Sequence, residues 1–352
     1  MFIRLALTWL TAVVLITACT RESQSDEALE AFERANAYLK EGDLDQAIAE
    51  FDLAVELDPE YAAAFGERGT VYWEKGLTER AIADFDRAIE LDPDSLRPLV
   101  NRGTLYSEMG QLDRALADYD QAIEQDPDLP FAYSGRGEVF LDMGELERAL
   151  ADLDQAIELY PIYSEAYMDR GRVYDQQGDY ALALADYDKA IELSPDDAVA
   201  YFNRGAVNYR AGNVEAALRD YSKVTELDPG DLYAYINRAD IHFLLGEYDQ
   251  AIENANQALE IDPNASDAYA IRGNAFAMKG EPAEALRDFN RSLELQPANP
   301  ALYLSRGISN AQNGFLEEAL ADLELYLKLR PDAPDRERVE GMIAVLRSDI
   351  GQ

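Results

Sequence analysis

The chain has one cysteine, Cys19, and one histidine, His242, in 352 residues. No disulfide can close within one molecule. No Ser-His pairing, cysteine nucleophile or His/Cys metal cluster can be assembled from such a stock. Cations are scarce as well: 31 Lys+Arg stand against 69 Asp+Glu, a formal charge of −38. A surface of that sign repels phosphate backbones and anionic lipid head groups, which excludes nucleic acid as the main partner. Most of these carboxylates are read as a solvated face that supports solubility, and no EF-hand spacing organises them. Long apolar runs are also absent. The most apolar stretch, Met1 to Ala18 (MFIRLALTWLTAVVLITA), is too short to span a bilayer comfortably.

What the chain does have is a period. Pro59, Pro93, Pro127, Pro161, Pro195, Pro229, Pro263, Pro297 and Pro331 are each 34 residues apart. Nine repeats run from Ala28 to Ala333 without gap or insertion and occupy 306 of the 352 residues. A strict period of this length marks a solenoid. The remainder is too short for an ordinary catalytic domain, so no enzyme activity, cofactor or metal is expected. With positions counted from the start of each repeat, glycine fills position 15 in all nine copies, from Gly42 to Gly314, and alanine fills position 20, from Ala47 to Ala319. Position 8 is glycine except for Ala35 and Ala239.

The fifth repeat shows why each copy reads as two helices. Tyr167, Gly171 and Tyr174, at positions 4, 8 and 11, share one stripe at about 100° per residue. Gly178 then permits a tight turn. A second amphipathic run follows, with Ala183, Leu184, Tyr187, Ala190, Ile191 and Leu193 on its inner face. Pro195 stops it, having no N–H to donate and no room for helix geometry before it. Small residues at 8 and 20 let two antiparallel helices approach closely.

This pattern resembles the tetratricopeptide repeat (TPR) superfamily across residues 28–333. The resemblance implies an all-α fold, a right-handed α-α superhelical solenoid of nine helix-turn-helix repeats. Residues 334–352 carry an amphipathic run (Val339, Ile343, Val345, Leu346) suited to a capping helix on the last pair. Departures are local: Asn208, His242 and Asn310 at position 11, and Ala255 at position 24. Looser packing is expected there, with His242 in the core of its helix.

Position 7 is arginine in every repeat, and position 23 is an acid in all but the seventh, where Asn254 stands. In an antiparallel pair these positions lie on neighbouring turns, so a repeated Arg–carboxylate bridge is expected to fix helix register. The other possible reading makes the arginines an anion ladder.

Function must come from what varies between repeats. TPR families bind ligands on the concave arc of the first helices, here positions 2, 5, 6, 9, 12 and 13. The middle of that arc is acidic: Glu138, Asp142, Glu165, Asp169 and Asp175, with Arg172 the main counter-charge. Repeats six to nine hold Phe202, Tyr209, Tyr233, Ile236, Phe243, Leu244, Ile271, Met278, Leu304 and Ile308, with Asn203, Asn237 and Asn274 among them. Asparagine amides can grip a peptide backbone with a donor and an acceptor each, while apolar neighbours bury its side chains. The acidic middle would favour basic residues at one end. The alternative is that positions 5 and 12 merely pack between adjacent first helices. A chaperone-type carboxylate clamp is not expected, because Lys40, Arg97, Arg172 and Arg210 are scattered over different repeats.

The N-terminus has the layout of an export signal, and Ile16-Thr17-Ala18-Cys19 resembles the lipobox of bacterial lipoproteins. That resemblance implies a signal peptide at 1–18, acylation of Cys19 and a polar tether at 19–27. Thr20, in place of an aspartate, leans toward the outer membrane. A plain secretory signal with a bystander cysteine is the competing reading. Together these features predict a lipid-anchored envelope scaffold that binds proteins or extended peptides. A carrier of a cationic or glycan ligand, or a non-catalytic enzyme subunit, stands as the alternative.

Overall fold

The computed structural model describes residues 25–351, so the signal stretch and Cys19 lie outside the described residues. The described residues form helices joined by turns. The first, α1, spans 25–41. It is followed by α2 (Leu44–Leu57), α3 (Ala62–Glu74), α4 (Thr78–Leu91), α5 (Leu96–Glu108), α6 (Leu112–Gln125), α7 (Pro130–Asp142), α8 (Leu146–Leu159) and α9 (Ser164–Gln177). Then come α10 (Tyr180–Leu193), α11 (Ala198–Arg210), α12 (Val214–Leu227), α13 (Leu232–Leu244), α14 (Tyr248–Ile261), α15 (Ser266–Met278), α16 (Pro282–Leu295), α17 (Pro300–Gln312), α18 (Leu316–Leu329) and α19 (Arg336–Ile350). Two compact halves result, Met1–Gln177 carrying α1 to α9 and Gly178–Gln352 carrying α10 to α19. Within each half, consecutive helices pack against one another, and first helices of successive repeats also touch, as α5 meets α7 and α13 meets α15.

The turn glycine does what its position requires. Gly76 adopts φ +70°, a left-handed conformation that a Cβ disfavours. Its N–H donates to the Trp73 carbonyl at 2.8 Å and that of Leu77 to the Tyr72 carbonyl at 2.8 Å, satisfying the last carbonyls of α3. At the other end of the hairpin, tyrosine at position 4 fastens the inter-repeat turn. Tyr303 donates to the carbonyl of Pro297 at 2.8 Å, and Tyr167 to that of Pro161 at 3.2 Å.

The core is a file of small layers. All nine position-20 alanines are fully buried. Position 8 sits so close to the ring at 24 that a Cβ on Gly273 would lie 2.9 Å from Phe289. The seventh repeat makes the opposite exchange: Ala239 brings a methyl where Ala255 has no ring, and both are fully buried. The looser packing expected at Asn208 and Asn310 does not occur. Each is 7% exposed, and its amide donates at 3.0 Å to Asp220 or Asp322, so a hydrogen bond replaces the aromatic contact. His242 is not a plain core residue either, since its Nδ1 is hydrogen-bonded to Glu247 at 2.6 Å.

The Arg–carboxylate bridge closes, and it is larger than position 7 with 23. Arg68 sends Nε and Nη2 to Asp84 at 2.7 and 2.8 Å, and Nη1 to Asp52 of the preceding repeat at 2.6 Å. Arg102 and Arg136 repeat this with Asp118 and Asp86, and with Asp152 and Asp120. The guanidinium also lies over the position-4 ring, as Arg272 does over Tyr269 at 5.3 Å. One side chain therefore ties both helices of its own repeat to the second helix of the one before. At the C-terminus, Val339, Ile343 and Leu346 of α19 pack on Leu323 and Tyr326 of α18, whereas Val345 faces solvent.

Candidate functional site

In the C-terminal half the first helices α11, α13, α15 and α17 carry the varying residues. They fall into two groups. Phe202 packs edge-on against Tyr221 at 5.4 Å, and Ile236 joins the cluster around Ala258 and Ala268. Tyr209 is half-buried, and its hydroxyl donates to Asp240 at 2.8 Å, stitching α11 to α13. Phe243 is half-buried with its ring 5.8 Å from that of Tyr248. Positions 5 and 12 in these cases are bound into packing between helices. The second group is open: Tyr233 is 66% exposed, Leu244 59% and Met278 59%. Ile271, Leu304 and Ile308 are half-buried.

The three asparagines are half-buried on these same helices, Asn203 on α11, Asn237 on α13 and Asn274 on α15. Their side-chain amides take no part in the hydrogen bonds of the described residues. Other asparagines are engaged: Asn254 donates to the Gln250 carbonyl, and Asn101 to Thr70. None of the amide atoms of Asn203, Asn237 and Asn274 is among the buried polar atoms without a partner, so each still faces solvent. Each amide is therefore open to donate and to accept a hydrogen bond.

The acidic group belongs to the N-terminal half, on α7 and α9. Arg172 lies among three carboxylates: Asp169 at 2.9 Å, Glu138 at 3.6 Å and Asp142 at 3.6 Å. Asp169 is buried, and burial pushes its carboxyl up to about 7; the Glu138 charge adds to this and Arg172 opposes it. Burial raises Glu138 too. Glu165 is exposed and Asp175 half-buried. Part of this acidity is thus spent on Arg172, and the raised Asp169 carboxyl carries less charge near neutrality than an ordinary aspartate.

One surface was missed by reading shared positions. Phe131, Tyr160 and Tyr163 form a three-ring cluster with centroids 5.1 to 6.1 Å apart, and Ile162 beside it is 62% exposed. The signal was present in the turn: Tyr160 and Ile162 flank Pro161, where most other copies carry aspartate or another polar residue.

Among the described residues, no group of three His, Cys, Asp or Glu side chains could hold a metal ion. No described helix is long and apolar enough to cross a membrane.

A file of helical hairpins with an unengaged polar and apolar face defines a helical-repeat protein. Tetratricopeptide repeat models match residues 32–95 and 134–198, 69–136 and 273–344, 232–265, and 198–231. The chain belongs to the tetratricopeptide repeat family. No curated protein matches it. Among solved structures it is similar to pilF of Pseudomonas aeruginosa at 19% identity, over 59% of this chain and 94% of that one, with a TM-score of 0.53. It is similar to the APC/C hetero-tetramer Cut9-Hcn1 at 18% identity, over 78% and 54%, with a TM-score of 0.58. It also matches YrrB, a TPR protein with an unusual peptide-binding site, at 29% identity over 52% and 95%, with a TM-score of 0.43. The first two likenesses concern the fold.

Proposed function

We propose that the protein is a non-catalytic scaffold that holds an extended segment of a partner protein along the first helices of repeats six to nine. The observation that carries this reading is the set of unengaged amides of Asn203, Asn237 and Asn274 beside the exposed side chains of Tyr233, Leu244 and Met278. Amides carried one to each of three successive first helices can meet a peptide backbone, and the apolar neighbours take its side chains. The net charge of −38 favours a cationic partner in long-range attraction, which moderate salt screens.

The test is the joint replacement of Asn237, Leu244 and Met278 by alanine. We expect stoichiometric capture of a partner from solubilised membranes to fall by at least about tenfold, since three truncations at an interface centre exceed the ~1.4 kcal/mol that a decade represents. Helicity should be unchanged, because Leu244 and Met278 are mostly exposed and the Asn237 amide makes no internal hydrogen bond. Undiminished capture would remove the groove assignment. Alanine at Tyr209 or Phe243 is a poorer test, as each also breaks an internal contact.

From the lipobox-like Ile16-Thr17-Ala18-Cys19 and from Thr20 we further propose that the protein is exported and acylated at Cys19, with the periplasmic face of the outer membrane favoured over the outer face of the plasma membrane. Several acyl chains on one residue anchor stably, where a single chain does not. Cys19→Ser is expected to move the protein from the membrane to the soluble fraction. Retention on membranes by the serine variant would contradict the anchor.

A further inference from the structure

In the C-terminal half the position-7 arginines share one geometry, with a single exception. Arg204, Arg272 and Arg306 each direct Nε and Nη2 at a position-23 aspartate, at 2.6 to 3.1 Å. Each directs Nη1 at residue 25 of the preceding repeat: Asp188 at 2.6 Å, Asn256 at 2.6 Å and Asn290 at 2.9 Å. Arg238 has lost both acceptors. Residue 23 is Asn254, whose amide nitrogen is turned to the Gln250 carbonyl at 2.8 Å. Residue 25 of the preceding repeat is Ser222, whose hydroxyl donates to the Leu218 carbonyl at 2.7 Å.

What remains for Arg238 is one hydrogen bond, from Nη1 to the Thr225 hydroxyl at 2.8 Å, and the ring of Tyr235 at 5.8 Å. Its Nε is buried and has no acceptor. Glu226 and Glu253 face it from α12 and α14, but neither pairs with it, and Glu226 is held by Lys223 at 3.4 Å. Burial accordingly draws the Arg238 guanidinium below its ordinary value, while Arg272 and Arg306, each bonded to an aspartate, are raised. A guanidinium is a planar fork matched to carboxylate, and leaving it half-buried without one is costly.

Nη2 also has no hydrogen bond among the described residues and, unlike Nε, is not buried, so one arm of the fork meets solvent. Where residue 25 is an aspartate its side chain stands largely in solvent, as Asp188 does at 65% exposure. Around the matching arginine of the third repeat the surface is recessed, lined by Asp86, Ile89, Arg102, Tyr106 and Asp118. Serine is smaller than aspartate by two heavy atoms, so at Ser222 the path to the guanidinium is wider. Two hydroxyls, of Ser222 and Thr225, border it.

We propose that Arg238 is a carboxylate-binding site, whose open Nη2 takes from another molecule a carboxylate of the kind its counterparts hold within the chain. The ligand class is a carboxylate, either a free small organic acid or an aspartate or glutamate side chain of a bound protein. This inference rests on the arginine ladder and does not depend on the groove formed by the first helices.

The test uses the full chain at pH 7 and constant ionic strength, following thermal unfolding with sodium acetate substituted for sodium chloride. A capped peptide with one glutamate forms a second arm, against the same peptide with glutamine. At saturation we expect a rise in midpoint of roughly 2–4 °C. Ser222→Asp, which places a carboxylate beside the guanidinium as Asp188 does for Arg204, should start from a higher midpoint and show no response. Arg238→Gln should also show none, and it serves should the aspartate variant fold poorly. A response to acetate alone assigns a free acid. A response to the glutamate peptide at lower concentration, and not to its glutamine twin, assigns a side chain. Equal responses in wild type and both variants, or no response to either probe, would overturn the proposal.

Discussion

Asp288→Ala is expected to lower stability by about 3–5 kcal/mol, the cost of removing one partner from a largely buried ion pair. Asp288 is 6% exposed and takes both Nε and Nη2 of Arg272 at 2.7 Å. What remains beside that guanidinium is the neutral Asn256 at 2.6 Å and the Tyr269 ring at 5.3 Å, neither of them a carboxylate, so the variant strands a charge. The hydrogen bond to Asp288 outweighs burial in raising Arg272, which gives the direction of the coupling. Urea unfolding measures the loss, and amide exchange localises it to α15 and α16 and their neighbours, because a repeat stack transmits energy chiefly to adjacent repeats. Replacing Arg272 and Asp288 together by leucine should recover most of it, since a buried pair exchanged for apolar residues is often nearly neutral. If single and double variants lose equally, the stranded charge is not the cause.

The second large effect is pH-dependent. Asp169 faces Glu138, Asp142 and Arg172, with Tyr163 within electrostatic reach, and its carboxyl is held at about 7 against an ordinary 3.8. A carboxyl raised by folding is protonated more in the folded than in the unfolded chain between those two values. Folding takes up a proton there, so this group's contribution to stability is greatest at low pH and declines as pH rises toward 7, then levels off. Asp169→Asn mimics the protonated form at every pH. The variant should match wild type near pH 4 and exceed it at pH 8 by about 2–4 kcal/mol, since a tenfold change in proton affinity between folded and unfolded chains corresponds to about 1.4 kcal/mol. The difference between the two proteins isolates Asp169 from the other carboxylates. A constant difference across that range would show that the residue does not titrate near neutrality.

Most of the fold was legible because each structural duty recurs at a fixed position. A glycine every 34 residues announces a left-handed turn, and Gly42 through Gly314 all adopt it. Arg at 7 with an acid at 23 announced the bridge. The third member, residue 25 of the preceding repeat, was not legible, because its contact crosses repeats and its identity drifts from Asp188 to Asn256 and Asn290. Polar substitutions at position 11 looked like defects, since a sequence does not show that Asn208 reaches Asp220. In the candidate surface, helical phase assigned residues to the first helices but could not separate Tyr209, tied to Asp240, from Leu244, which stands in solvent. Facing direction follows from periodicity, whereas exposure depends on what the neighbouring helix brings. The Tyr160 and Ile162 turn escaped for a related reason: a search for what repeats share passes over the copy that departs.

The central claim is that recognition resides on the first helices of repeats six to nine. Its most direct measurement is site-specific photo-crosslinking, with the photoreactive residue placed at Leu244, at Met278 and, as control, at Asp188 on α10. Capture of one partner species from 244 and 278, lost when Asn203 and Asn237 are replaced by alanine and not seen from 188, is the result expected. Crosslinks that form equally from 188, or that persist without the asparagines, would contradict it.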